Sequence, residues 1–305
     1  MIVIAVRRLV WLVLTLWGVF TVSFFLMRAV PGGPFSKERK LDPVVQRNIE
    51  RRYDLDKPLY WQYFNSLKKT ATGDLGPSMR LRDFTVNEVI AQGLPISASL
   101  GILALSMALV LGVTAGVLAA LWRNTVVDWS LMSAATLGIA VPNFWLASVG
   151  IVLFVFMVPI FPAAGWGSLR QLILPVICLG APYAAYIARL TRTGMLDVLN
   201  QDYIRTARAK GLGSARVVIH HALKGALLPV VSFLGPASAD ILMGSLIVEQ
   251  IFFLPGLGSH FVEAATQRDY PLAMGMVLTY TLMLYLLNTV VDFSYRLLDP
   301  RVADK

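Results

Sequence analysis

The stretch Asp202-Tyr-Ile-Arg-Thr-Ala-Arg-Ala-Lys-Gly211-Leu-Gly213 lies between two apolar segments that are each long enough to cross a membrane. It opens with a residue that favours helix N-caps, Asp202, and closes with a residue that favours the C′ position, Gly211. The residues between them are mostly good helix formers, and Arg208 and Lys210 place positive charge in the last turn, where it suits the helix dipole. The pattern predicts a short polar helix over 203–210, held at the surface of a protein that is otherwise embedded in a membrane.

The composition agrees with a membrane protein. The chain has 305 residues, of which 56% are hydrophobic and 15% charged, and its mean hydropathy is +0.65, whereas soluble domains have about 25% charged residues. The formal net charge of +9 is typical of positive cytoplasmic loops, so we expect no nucleic-acid partner. The single cysteine, Cys178, excludes an intramolecular disulfide and a cysteine zinc cluster.

Apolar runs along the chain predict an all-α membrane protein with six transmembrane helices, because backbone polar groups cannot remain unpaired in lipid. The first run follows Arg7 and Arg8, and we interpret it as an uncleaved signal anchor because a convincing small-x-small cleavage site is absent from its end. The predicted spans are 9–28, 97–121, 132–158, 171–190, 229–250 and 273–295.

Lysines and arginines set the predicted orientation. Taken together, alternate short segments along the chain hold most of these residues. The two short loops between them hold one such residue each, Arg170 and Arg268. By the positive-inside rule, both termini lie inside. The predicted organisation begins with an N-terminal tail and first span (1–30) and an extracytoplasmic subdomain (31–96). A five-helix core (97–295), which contains the short inner helix at 202–211, and a cytoplasmic tail (296–305) follow.

The outer segment 31–96 carries two predicted helices. Asp42-Pro43 begins a capped polar helix over 44–53, and 59–67 forms an amphipathic helix rich in aromatic residues. Tyrosine and tryptophan favour the membrane interface, so the second helix lies on the interface or guides a docking partner.

The exposed face of the short inner helix also has two interpretations. Tyr203, Ala207 and Lys210 fall on one face, and the small Ala207 would allow a partner surface to approach closely. The segment is either a basic loop held near anionic lipid or a docking surface for another protein.

Two acidic residues belong to the fifth predicted span. Asp240 lies near its middle, where a charge is costly and needs a reason. It lies on a translocation path and attracts a peptide's ammonium or basic side chains, or it pairs with a helix of a partner subunit. Glu249, the second candidate for the substrate path, ends the span as a gate or binding-protein contact, or as a solvated helix end.

The stretch after Glu249 is apolar although it is predicted to lie outside. Pro255-Gly256 predicts a turn. The stretch is an interfacial plug that packs on neighbouring helices, or a gate. The candidate residues for an outer gate or a binding-protein contact are Phe252, Phe253, Pro255 and Gly256.

Several motifs of catalysis and cofactor binding are missing from the sequence. It contains no G-x-x-x-x-G-K-[ST] phosphate loop, no H-E-x-x-H and no G-x-S-x-G. The only histidines are His220, His221 and His260, at positions that do not predict a metal site. We therefore expect no catalytic residue, no metal and no cofactor on this chain.

The short inner helix resembles a known motif. Arg205-Thr-Ala-Arg-Ala-Lys-Gly211 is similar to the EAA loop of ABC-importer permeases, the motif that builds their coupling helix. Ala207 and Gly211 match that motif, whereas Arg205 stands where an acidic residue is usual and Thr206 replaces the first alanine. These departures fit the peptide-permease branch.

Further strings extend the resemblance over nearly the whole chain to the OppB-type family of oligopeptide and dipeptide permeases. They occur in the expected order: Arg28-Ala-Val-Pro-Gly-Gly-Pro34, Gly73-Asp-Leu-Gly-Pro-Ser78, Glu249-Gln-Ile-Phe-Phe-Leu-Pro-Gly-Leu-Gly258, Arg268-Asp-Tyr-Pro271 and Asp299-Pro-Arg301.

The resemblance implies a type I ABC importer permease of the bacterial inner membrane. It implies a second, C-type permease, two cytoplasmic ATPases that bind ATP and Mg, an extracytoplasmic binding protein and an oligopeptide substrate. Dipeptides, nickel chelates and other small oligomers are the alternative cargo, and a stand-alone secondary carrier is the alternative class. By resemblance Ala207 faces the ATPase, and the ATPase-coupling residues are Asp202, Tyr203, Arg205, Thr206, Ala207, Arg208, Lys210 and Gly211.

Overall fold

The structure is a computed structural model that describes residues 2–29, 54–81 and 83–298. Within these ranges the regular elements are helices, and the one β-bridge joins Pro77 and Thr85. The longer helices are α1 (Ile2–Ala29), α2 (Leu59–Ala71), α3 (Val86–Leu121), α4 (Val126–Ala140), α5 (Asn143–Ile151), α6 (Leu169–Leu199), α7 (Asp202–Ala209), α8 (Leu228–Ile251), α9 (Leu257–Gln267) and α10 (Tyr270–Leu298). The predicted helix at 59–67 is confirmed as α2, and the predicted helix at 44–53 lies outside the described residues.

Four described helices are long and apolar enough to cross a membrane, and two bent helix pairs bring the number to six if each pair forms one span. The four are Val6–Ala29, Val86–Leu121, Leu169–Leu199 and Tyr270–Val290; the bent pairs are Val126–Ala140 with Asn143–Met157 and Ser214–Ala226 with Leu228–Ile241.

The third predicted span is not one continuous helix. α4 ends at Ala140, Val141 is extended with ψ of 124°, and α5 begins after Pro142 at a bend of 104°. Proline lacks the N–H that would continue the helix, and it forces the residue before it out of the helical region. The sequence predicts a kink at Pro142 within the span 132–158, and this prediction is confirmed.

The chain divides into two compact units. The first consists of Met1–Pro95 and Ser259–Tyr285, and the second of Ile96–Gly258 and Leu286–Lys305. In the first unit, Phe20 and Phe24 of α1 are fully buried and contact Tyr63 of α2, whose ring lies 5.3 Å from that of Phe24. Arg28 Nη2 donates to Gln62 Oε1 at 3.0 Å, which ties the end of α1 to the same helix.

The core of the second unit depends on close helix packing. A Cβ atom on Gly112 of α3 would lie 2.6 Å from the Ala184 carbonyl oxygen of α6, and one on Gly180 would lie 2.5 Å from Met107. Small residues at such crossings let two helix backbones approach closely, which is typical of helices in lipid. α6 also packs along α4 and α8, so it is the central helix of this unit.

Candidate functional site

α7 begins at the residue that the sequence predicted as its cap. Gln201 is the N-cap and makes no side-chain capping hydrogen bond, and Asp202 is the first helical residue. Asp202 Oδ1 instead lies 3.1 Å from Arg205 Nη1 in an exposed ion pair one turn along. The prediction that Asp202 caps the helix is wrong by one position, although its charge still suits the N-terminal end of the helix dipole.

The end of α7 follows the prediction. Gly211 has φ of +76°, its N–H donates to the Arg208 carbonyl at 2.9 Å, and the Leu212 N–H donates to the Ala207 carbonyl at 3.4 Å. These two bonds form a Schellman motif, in which a left-handed glycine satisfies carbonyls that the helix leaves open. Leu212 also packs against the cluster beneath the helix, and the prediction of Gly211 at C′ is confirmed.

Two side chains anchor α7 to the rest of its unit. Ile204 is fully buried and Ala207 is 5% exposed. They belong to one apolar cluster, together with Ala120, Met195, Val217, Ala222 and Ala226. The prediction that Ala207 faces a partner is therefore wrong, because the inner face of this amphipathic helix is filled by the chain's own residues.

The other side of α7 is exposed. Tyr203 is 49% exposed, and the Thr206 hydroxyl turns back to donate to the Asp202 carbonyl at 3.0 Å. The exposed residues are Asp202, Tyr203, Arg205, Thr206, Arg208, Ala209, Lys210 and Gly211. They form a predominantly basic surface one helix long, which we call the α7 face.

An ion pair that the sequence did not predict stabilises the helix before α7. Arg192 of α6 donates to both oxygens of Asp128 of α4, at 2.7 Å each, and the Asn124 N–H adds a bond of 2.9 Å. Asp128 is 4% exposed. Because this bidentate geometry fixes α6 against α4, it fixes the segment from which α7 departs. No local signal links two residues that lie 64 positions apart.

Asp240 and Glu249 of α8 differ in burial. Asp240 is exposed and accepts a hydrogen bond of 2.9 Å from the Tyr183 hydroxyl of α6. Glu249 is fully buried. It accepts from the Ser97 hydroxyl at 2.7 Å and from the Gly258 N–H at 2.8 Å, while Ser97 accepts from the Leu257 N–H at 2.8 Å. The interpretation of Glu249 as a solvated helix end is wrong, because the carboxylate holds the start of α9 instead.

The turn between α8 and α9 alternates between buried and exposed residues. Phe252 is 1% exposed and its carbonyl accepts from the Gly165 N–H at 3.0 Å. Phe253 is 74% exposed and has φ of +50°, a left-handed conformation that is uncommon for a bulky residue. Pro255 is exposed and Gly256 is buried. Of the four gate candidates, Phe253 and Pro255 are accessible, whereas Phe252 and Gly256 are packed inside.

In the first unit, a second buried carboxylate joins two of the strings that carry the family resemblance. Asp269 is fully buried and accepts from the Ser78 hydroxyl and from the N–H groups of Met79, Arg80 and Leu272, at 3.1, 3.1 and 3.2 Å for the three N–H groups. No local signal in the sequence predicts a role for Asp269. Within the part of the chain that the structure describes, no group of His, Cys, Asp and Glu residues could hold a metal ion.

Comparison with known proteins gives a consistent result. The family described as "Binding-protein-dependent transport system inner membrane component" matches residues 112–304. The chain is 44% identical over 297 residues to the dipeptide transport system permease protein DppB of Bacillus subtilis, covering 97% of this chain and 96% of that protein. It is 43% identical to the oligopeptide transport system permease protein OppB of Escherichia coli K12 and 45% identical to that of Haemophilus influenzae, each over 97% of both chains.

The fold is also found in a solved structure. A chain of the MetNI methionine ABC transporter, in inward-facing conformations, is similar with a TM-score of 0.57 and 18% identity, covering 69% of this chain and 96% of that one. This similarity extends to the fold alone. From the family match and the extent of the sequence identity, the chain belongs to the binding-protein-dependent transport system inner membrane components, as a multi-pass membrane permease of the OppB type.

Proposed function

We propose that this chain is the permease subunit of an ATP-driven, binding-protein-dependent importer that moves oligopeptides across the bacterial cytoplasmic membrane by alternating access. Relatives with 43–45% identity over 97% of the chain are named for oligopeptide and dipeptide transport. The transmembrane region has six spans, counting each bent pair as one, with both termini inside. Residues 31–96 form an extracytoplasmic subdomain, and 97–295 form the core.

The proposed assembly contains this chain, a second C-type permease, two cytoplasmic ATPases and an extracytoplasmic peptide-binding protein, surrounded by membrane lipid. ATP and Mg bind to the ATPase chains. The observation that carries the proposal is the construction of α7, which is anchored by Ile204 and Ala207 and leaves a basic face exposed. Because α7 is seated on a cluster to which Met195 of α6 and Ala120 of α3 belong, a partner that displaces α7 would move these two helices.

A bulky residue on the α7 face tests this coupling. Thr206→Trp places an indole on the exposed side of α7, whereas Ala215→Trp places the same indole on an exposed position beyond Gly211. We expect Thr206→Trp to abolish ATP hydrolysis stimulated by peptide-loaded binding protein in nanodiscs, or to release the ATPases. Ala215→Trp keeps both properties. Full stimulation and full assembly in Thr206→Trp would show that α7 is not the contact.

Dipeptides are a second candidate cargo, because the identity to a dipeptide permease, 44%, lies between the 43% and 45% found for two oligopeptide permeases. Competition for uptake between labelled trialanine and unlabelled dialanine in proteoliposomes separates the two.

The same vesicles test the class of transporter. Uptake that needs ATP and survives a protonophore supports the importer, whereas uptake driven by an ion gradient without ATP would indicate a secondary carrier.

The turn after α8 is the proposed contact for the binding protein. Phe253 and Pro255 are exposed and can meet a partner directly, whereas Phe252 and Gly256 support the turn from within. Phe253→Ala is expected to weaken binding-protein stimulation while leaving the basal ATPase rate unchanged.

A further inference from the structure

The second unit contains a cavity with an acidic group on its wall. Its volume is about 640 Å³, and its wall is built from the break between α4 and α5 and from one face each of α6 and α8. Ligand sites in proteins commonly occupy about 300–1,000 Å³. Among the described residues that line the cavity, Asp240 is the one charged side chain.

Asp240 is held in a defined position. Tyr183 is 7% exposed, and its hydroxyl donates to Asp240 Oδ2 at 2.9 Å. This bond uses one of the two carboxylate oxygens and orients the group, while the exposed side chain keeps the other oxygen available to a ligand. A carboxylate in an apolar span is costly unless it meets a partner or lines a cavity, and here it lines a cavity.

Aromatic rings complete the wall beside the carboxylate. Tyr186 follows Tyr183 by one turn of α6, and its ring lies 5.5 Å from the ring of Phe233 on α8. Tyr186 is 44% exposed. Aromatic faces attract organic cations and also accept apolar side chains. A carboxylate beside aromatic rings therefore matches an organic ammonium group.

A metal ion fits this site poorly. Hard cations need six or more oxygen ligands, and the polar groups of the cavity wall are Asp240, two phenols and Asn143. An ammonium ion needs only a few acceptors and gains from the rings.

We propose that Asp240 receives the free α-ammonium group of a peptide during its passage, with Tyr183 orienting the carboxylate and Tyr186 and Phe233 flanking the ligand. This inference rests on the proposed function, since it assigns the part of the substrate that the cavity recognises.

The test compares trialanine with N-acetyl-trialanine, which lacks the ammonium group. Each labelled peptide is supplied on saturating binding protein to proteoliposomes that contain the full complex and ATP, and initial uptake is expressed per bound peptide. The variants are Asp240→Asn, Tyr183→Phe and, as a matched control, Asp197→Asn, which neutralises an exposed aspartate of α6 outside the cavity.

Hydrogen bonds to charged groups are stronger than those between neutral groups, so we expect wild type to favour trialanine by about tenfold. Asp240→Asn should lower trialanine uptake about tenfold and leave N-acetyl-trialanine unchanged, which removes the preference. Tyr183→Phe should lower trialanine uptake about threefold, because the carboxylate remains but is no longer held. Asp197→Asn should behave as wild type.

Equal slowing of both peptides by Asp240→Asn, or loss of the second permease from the purified complex, would overturn the site and identify Asp240 as an intersubunit partner. An unchanged preference in Asp240→Asn with normal wild-type uptake would overturn the site alone. If wild type takes up neither peptide in the presence of ATP, the proposed function fails and the site fails with it.

Discussion

In α7 the side chains of Ile204 and Ala207 face inward and the charged side chains are exposed, whereas in the turn after α8 a carboxylate is buried and a phenylalanine is exposed. Ile204 is fully buried below a basic surface, while Glu249 is fully buried close to Phe253, which is 74% exposed. α7 is held by apolar contact and by a glycine that ends it. The turn is held by hydrogen bonds to one carboxylate. The two regions should therefore respond to different substitutions.

The largest expected effect is loss of the buried carboxylate. Glu249→Ala leaves the Ser97 hydroxyl and the Gly258 N–H without this acceptor. An unsatisfied buried group costs about 1–3 kcal/mol, so we expect a loss of about 4 kcal/mol of stability and a clear fall in the apparent melting temperature of the purified complex. Asp202→Ala removes the exposed carboxylate of α7 and should change stability by less than about 0.5 kcal/mol. Similar melting temperatures for the two variants would remove the distinction between the regions.

The next effect concerns the apolar anchor of α7. Ile204→Ala opens a cavity in the cluster beneath the helix, at a cost of about 3 kcal/mol. This cavity should lower the free energy of local opening of α7 by the same amount. The amides of 202–212 should then exchange with deuterium about a hundredfold faster, as measured by mass spectrometry in nanodiscs. Thr206→Ala, on the exposed side, should leave exchange close to wild type. Unchanged exchange in Ile204→Ala would mean that the helix is not held from below.

A third comparison uses two glycines. A Cβ atom on Gly256 would overlap Glu249 Oε2 and lie 2.6 Å from Ser97 Oγ, whereas a Cβ on Gly213 meets nothing within 4 Å. Overpacking of this kind costs about 2 kcal/mol. Gly256→Ala should therefore lower the melting temperature, and Gly213→Ala should not. Equal changes in melting temperature would show that the hydrogen-bond network of Glu249 accommodates the added Cβ atom without a loss of stability.

The sequence predicted those features of the site whose signals are local. The end of α7 could be placed because a left-handed position selects glycine, and six apolar runs could be counted because membrane thickness sets their length. The start of α7 was misplaced by one residue because Gln201, which has no capping side-chain bond, takes the N-cap position.

The sequence could not show whether the Ala207 side chain faces the core of its own unit or a partner, because this depends on residues that distant segments supply. Helical spacing identifies which residues share a face, but the burial of that face depends on Met195 and Ala226, which lie outside the helix. For the same reason, no local signal connects Glu249 with Ser97, which lies 152 positions away. The break at Pro142 had a local signal, since proline ends helices, whereas the size of the bend between α4 and α5, 104°, had none.

The smallest expected effect tests the one local signal on which the end of α7 depends. Gly211 has φ of +76° and nothing lies within 4 Å of a Cβ placed there, so any cost of substitution comes from the backbone conformation alone. Gly211→Ala should destabilise the end of α7 by about 1 kcal/mol, because side chains with a Cβ disfavour the left-handed region. Gly211→Asn should cost less, since asparagine tolerates that region. Amide exchange at Leu212, whose N–H completes the Schellman motif, should then rise about fivefold in the alanine variant, as that free energy implies, and less in the asparagine variant. The reverse order would show that a contact at this position, rather than the backbone angle, determines where the helix ends.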